Sequence, residues 1–248
     1  MPLYTYLLHL GDNALVLGHR NSEWCGHGPA LEQDIALTNI ALDLIGQARL
    51  FYQYAAECKG DGVTEDTLAY GRDVYDFRNC LLVEQPNGDW ACTILRQFLF
   101  SAWQYELYQA LRHSTDPRIA AIAVKALKEV TYHVRWSGEW VVRLGDGTPE
   151  SRSRMQNAIS ELWMFTGELF KPTPYETDLG KAGISMAPGQ LEAPWKERVS
   201  AVFAQAGLDI PGTPAFQNGG KTGSHSEHLG YLLAELQFLQ RAYPGNTW

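Results

Sequence analysis

The chain has 248 residues, 45% of them hydrophobic, and a formal net charge of -8 from 28 acids against 20 Lys and Arg. That length and apolar content support one large core, and the acidic balance gives no reason to expect nucleic acid or an anionic membrane surface as partner. No apolar run approaches the ~20 residues of a membrane span and no basic leader precedes one, so a soluble, cytoplasmic protein is expected.

Taken in order, the residues from Leu3 to His19 are apolar at helical spacing, with Leu7, Leu10 and Leu17 as candidate core positions and Asp12 as an acid inside a mostly apolar helix. Pro29 opens the second and most informative helix, Ala30 to Lys59, whose apolar residues repeat for about eight turns. Gly60 to Gly62 ends it, and Glu65 to Asn79 is a further helix or an irregular crossover. Pro86, Asn87 and Gly88 form a turn, Asp89 caps a third long helix ending near His113, and its apolar faces wrap so far round that burial on two sides is expected. Asp116 and Pro117 then open a fourth helix that stops at Gly145 to Gly147. Four long helices separated by turns predict an antiparallel bundle over residues 3 to 145 or so. Beyond it come a fifth helix from Arg154 to Phe170, a proline-rich loop from Lys171 to Pro194, and a sixth helix from Trp195 to Ala206. A second loop, Gly207 to Gly223, precedes a last helix from Ser224 to Tyr243 and a tail ending at Trp248. Strand-like alternation is missing, so the expected fold is all-α in a single domain, with added helices over 153 to 243. Cys25, Cys58, Cys80 and Cys92 have no CxxC spacing and read as reduced thiols.

Between Ile35 and Ala48 the only polar side chains are Thr38, Asn39, Asp43 and Gln47. Asn39, Asp43 and Gln47 recur at four-residue steps, which stacks them on one side of the helix at or near its buried face. An acid there is a metal ligand, a catalytic group or a paired structural residue. A di-iron or di-manganese centre in a four-helix bundle takes a Glu from each of two helices and a Glu-x-x-His pair from each of the other two. The second helix offers Leu44 and Gln47 where such a pair fits, with Asp43 one residue off register. The fourth offers Glu129, but Tyr132 stands three residues on and His133 comes one place late. Asp12 and Glu106 are further possible internal acids, with solvent as the alternative for Glu106. Lys125, one turn before Glu129, favours a structural pairing, since its ammonium could balance buried carboxylates in place of a metal. For Asp43 the expected partner is Gln47, a Lys or Arg, or a backbone group of a neighbouring helix.

His225, His228 and Glu235 have helical spacing but read as an exposed helix terminus or an interface before they read as a metal site. Cys25 and His27 do not form a dyad by adjacency alone, and GxSxG, HExxH, Walker and Rossmann signatures are all missing.

Five strings carry a resemblance: HLGDNALVLGHR from His9 to Arg20, EWCGHGPALEQDIALTNIALDLIGQAR from Glu23 to Arg49, LLVEQPNGDWACTILRQF from Leu81 to Phe98, KALKEVTYH from Lys125 to His133, and GSHSEHLGYLLAELQFLQR from Gly223 to Arg241. Together they resemble the structural subunit family of the bacterial ring 1,2-phenylacetyl-CoA epoxidase, a multicomponent monooxygenase of aerobic phenylacetate catabolism. The resemblance implies a ferritin-like four-helix bundle with additional C-terminal helices and no working di-iron site. It implies no catalytic residue and no cofactor on this chain, with Asp43, Leu44, Gln47, Glu129, Tyr132 and His133 as the relic of a ligand set. Asp12, Asn39, Glu106 and Lys125 are then candidates for an internal polar network. The implied partners are a catalytic subunit holding di-iron, a small subunit, and a reductase carrying flavin and iron-sulfur groups. Trp103, Tyr105, Tyr108, Trp136 and Trp140 are expected to divide between the core and a large partner interface. Two other readings stay open: a ferritin-like oxygenase or oxidase using Asp43, Glu129 and His133, and a ferritin-like binding module with a partner elsewhere.

Overall fold

The computed structural model describes residues 1–212 and 217–246; residues 213–216 of the expected second loop, and Thr247 and Trp248 of the tail, lie outside the described residues. Helix α1 (Pro2–Ser22) carries a proline in its first turn, where the missing N–H costs nothing. It runs against α2 (Leu31–Lys59), and that pair forms one half of a bundle. Helix α5 (Trp90–Leu111) with α6 (Pro117–Gly145) forms the other half. Both predicted caps are present: Asp89 Oδ1 accepts the Cys92 N–H at 3.0 Å, and Asp116 Oδ1 accepts those of Arg118 and Ile119 at 2.9 and 3.0 Å. Asp116 also ties the two halves together, because its other oxygen accepts the Tyr54 hydroxyl of α2 at 2.6 Å.

Between the halves the chain crosses over through α3 (Glu65–Tyr70), a 3-10 turn (Val74–Asp76) and α4 (Leu81–Glu84). Two antiparallel helix pairs joined by a long crossover make this a ferritin-like bundle. Added to it are α7 (Pro149–Leu162), α8 (Pro174–Lys181), α9 (Glu192–Ala206), α10 (Glu227–Leu236) and α11 (Phe238–Ala242). Every described regular element is helical.

The C-terminal layer departs from the sequence reading in three places. The expected fifth helix ends as an α-helix at Leu162 and tightens into a 3-10 stretch, Trp163–Phe170. That stretch sets Trp163 and Phe170 against Trp195, with ring centroids 5.7 and 5.1 Å away. The proline-rich loop contains α8, because Thr173 and Glu176 form a reciprocal cap around Pro174. The last helix begins only at Glu227 and breaks at Gln237, whose amide turns back to donate to the carbonyls of Ala69 and Arg72.

Helix α1 is buried along almost its whole length by α2 on one side and by α8 and α4 elsewhere. It therefore buries His9, Asp12, Asn13, Arg20 and Asn21 as well as leucines, and each needs a partner. Gly11 makes room for one of them. A Cβ there would lie 2.6 Å from the Tyr52 ring, which crosses α1 to bring its hydroxyl 2.5 Å from Asp12. Helix α5, as expected, is buried on two sides, by α6 and by α7 and α9.

Candidate functional site

At the centre of the bundle α2, α5 and α6 bring six polar residues into two linked groups. Gln47 is buried, and its Nε2 donates to Glu129 Oε2 at 2.9 Å. Its Oε1 accepts from Gln104 Nε2 at 3.0 Å and from the Tyr108 hydroxyl at 3.1 Å. Burial holds the Tyr108 phenol far above its usual pKa, with the Gln104 hydrogen bond pulling the other way, so it stays a neutral donor. One turn along the same helices, His133 Nε2 lies 3.0 Å from Asp43 Oδ2. The imidazole is fully buried while the Asp43 carboxylate is 38% exposed.

Each predicted residue now has a definite place. Asp43 bonds to the α6 histidine, not to Gln47, an Arg or Lys, or a backbone group, because Gln47 is turned to Glu129 and α6 offers the nearer ring nitrogen. Leu44 is fully buried as an apolar side chain. The stripe itself slants: Asn39 is exposed, Asp43 half-buried and Gln47 buried, since steps of four residues drift round a helix of 3.6 residues per turn. Asn39 therefore lies outside any internal network. Lys125 is also exposed and makes no ion pair among the described residues; the Gln47 amide takes the place beside Glu129 expected for its ammonium. Tyr132 is 37% exposed with the Arg135 guanidinium 5.7 Å from its ring, so Glu129 and His133, one full turn apart, share the inner face without it.

Glu106 is neither central nor free in solvent, since Arg198 of α9 holds it at 2.8 Å. Asp12 is buried in a separate network with Tyr52, Arg72 and the Arg78 N–H. His225 was expected to be exposed, but its side chain is buried, with Nδ1 2.8 Å from Glu84 Oε2 and Nε2 3.0 Å from the Phe77 carbonyl. It precedes α10, so the chain folds back there and the helical spacing to His228 and Glu235 does not apply. Of the five aromatic residues, Trp103, Tyr108 and Trp136 are buried, and Tyr105 and Trp140 are partly buried.

Sequence reasoning missed Gln104 as a member of the centre and took Tyr108 as a core or interface aromatic, without the role of its hydroxyl. A signal was there: Gln97, Ser101, Gln104 and Tyr108 recur at steps of four, three and four through a helix that is otherwise mostly apolar. The donor set does not fit a di-iron centre. The one glutamate at the middle has one oxygen occupied by the Gln47 N–H group, and the groups bound to the other end of that amide are a second amide and a phenol. Such neutral groups balance no dinuclear charge, and Leu44 has no lone pair to offer. Among the described residues no three His, Cys, Asp or Glu side chains converge as a metal site.

A second buried centre joins α1 to the C-terminal layer. Lys221 Nζ lies 2.8 and 2.7 Å from the two Glu176 oxygens and donates to the Lys171 carbonyl at 2.9 Å. His9 sits 3.9 Å from the same carboxylate, and its Nδ1 is 2.7 Å from the Arg78 carbonyl. Burial first, then the Lys221 ammonium, pushes the His9 imidazole down to about 4 from its ordinary 6.5. Unfolded, His9 takes its proton near 6.5; folded, it resists until about 4. Its contribution is thus complete above pH 6.5 and is lost as pH falls toward 4, a decline of about 3 kcal/mol. In urea titrations from pH 7.5 to 4.5, His9→Gln is expected to flatten this part of the stability profile. Parallel profiles for the two proteins would exclude His9 as its source.

The family model described as phenylacetic acid catabolic protein matches residues 1–248 of the chain. The chain is also 52% identical over 246 residues to one of the subunits of the 1,2-phenylacetyl-CoA epoxidase of Escherichia coli (strain K12), and the match covers 99% of each chain.

Proposed function

This chain belongs to the phenylacetic acid catabolic protein family, and from that premise we propose that it is the structural subunit of a multicomponent phenylacetyl-CoA 1,2-epoxidase in aerobic phenylacetate degradation. The observation that carries the reading is the 52% identity to a single epoxidase subunit over 99% of both chains. The centre of the bundle supports it, since a ferritin-like scaffold whose middle is tied by Gln47, Gln104 and Tyr108 suits a supporting subunit. In this reading Asp43, Leu44, Gln47, Glu129, Tyr132 and His133 are the remains of a ligand set. Two of its contacts, Asp43 to His133 and Gln47 to Glu129, now hold α2 against α6.

Ring epoxidation with O2 and NADPH belongs, on this proposal, to a separate catalytic subunit that holds the di-iron. The assembly is completed by a small subunit and by a reductase with flavin and iron-sulfur groups. This chain is one cytoplasmic domain that keeps the catalytic subunit in shape through a helical interface. No helix among the described residues is long and apolar enough to cross a membrane.

Co-expression decides the matter. The chain is expected to co-purify with the ferritin-like catalytic subunit, and omitting it is expected to lower that subunit's epoxidase activity. Iron-loaded expression of this chain alone is expected to return no stoichiometric metal. Undiminished activity in its absence would remove the scaffold role. About two irons per chain, lost on Glu129→Ala, would establish a metal centre of its own.

A further inference from the structure

Helices α6 and α9, with α5 beneath them, flank a groove of about 550 Å³. The two helices run side by side in the same direction, since Gly138 faces Val202 and Gly145 faces Ala206. Gly138 opens the floor: a Cβ there would lie 3.2 Å from the Phe98 ring and 3.8 Å from Val202. The walls include Val134, Val142 and Val202. Phe98 packs beneath that floor and is itself fully buried, so the apolar surface of the groove is that of the valines, with the exposed Glu139 on the α6 side.

The ends are cationic in a chain whose net charge is -8. Arg135 and Arg198 share one end, and Arg143 stands at the other, about 12 Å or two helical turns along α6. Arg198 is neutralised by Glu106 at 2.8 Å and stacks on the Tyr105 ring, with 4.5 Å to the centroid. Arg143 has the exposed Glu139 3.9 Å away, a pairing worth little in water, and lies 5.3 Å from the centroid of the Trp140 ring. Arg135 lies over the Tyr132 ring and makes no ion pair among the described residues. The groove therefore has at its mouth one guanidinium without an ion pair among the described residues, and behind it a trough walled by valines. Two turns are too short to seat an amphipathic helix by anchors spread over several turns, but they suit a small molecule.

We propose that this groove binds a small amphipathic anion, with its anionic head at Arg135 and an alkyl or aryl body between Val142 and Val202. Calorimetric titration of the full chain with octanoate is expected to show saturable binding at one site. Arg135→Glu is expected to weaken it about tenfold or more, as loss of a charge-assisted hydrogen bond and a repulsive carboxylate together require. Val202→Glu, which puts an acid in the trough, is expected to weaken it similarly, and circular dichroism melting shows whether each variant is folded. Inorganic phosphate, lacking a body, and octan-1-ol, lacking a charge, are expected not to displace octanoate. Absence of saturable octanoate binding, equal binding by either folded variant, or equally tight binding of octan-1-ol would overturn the proposal.

Discussion

Replacing Asp12 by alanine is expected to destabilise the chain by about 3–5 kcal/mol, the cost of leaving a buried ion without its partner. The carboxylate is fully buried and meets four donors: both terminal nitrogens of Arg72, the Tyr52 hydroxyl and the Arg78 N–H. Burial, then the carboxylate itself, keeps the Tyr52 phenol protonated far above its usual range, so the hydroxyl serves as a donor. The network joins α1 to α2 and to the middle of the crossover, on either side of its 3-10 turn, so its loss loosens three segments at once. Arg72 has other duties, donating to the carbonyls of Leu68 and Asp76 at 2.6 and 3.1 Å. Replacing both Asp12 and Arg72 by leucine is therefore expected to recover only part of the loss. Urea unfolding at pH 7 measures both; a change below about 1 kcal/mol for Asp12→Ala would show that the network contributes little.

The second large effect is expected at Lys221. The residue is 2% exposed and its ammonium is bound by both Glu176 oxygens, while Glu176 also accepts the Thr173 N–H at 2.9 Å in the cap of α8. Lys221→Met leaves that carboxylate buried and uncompensated, and a loss of about 3–5 kcal/mol is expected. Adding Glu176→Gln removes the stranded charge while keeping the cap, so the double variant is expected to be more stable than Lys221→Met alone. A double variant no better than the single one would mean that the ammonium acts through its bond to the Lys171 carbonyl and not through Glu176.

The halves of the bundle were legible because the signals are local. Apolar spacing, the acids at Asp89 and Asp116, and the glycine and proline breaks act within a turn of the residue that carries them. The failure to complete a ligand set was legible for the same reason, since Leu44 and Tyr132 can be counted off along their own helices. The bends of the C-terminal layer were not, because Trp195 draws Trp163 and Phe170 into a cluster assembled from distant segments.

What the sequence by itself determined about this protein is the set of helices, their caps and the absence of the usual metal-binding spacing, all of which follow from short-range geometry. Only the tertiary structure decided which polar residues go inside. Asn39 and Lys125 lie on helices with buried faces yet end in solvent, whereas the side chains of Lys221 and His225, placed by the sequence in a loop and at a helix end, are buried. The physical reason is that a buried charge is tolerated only where another segment supplies its partner. Glu176 and Glu84 supply those partners from positions 45 and 141 residues away, a pairing that no local pattern encodes.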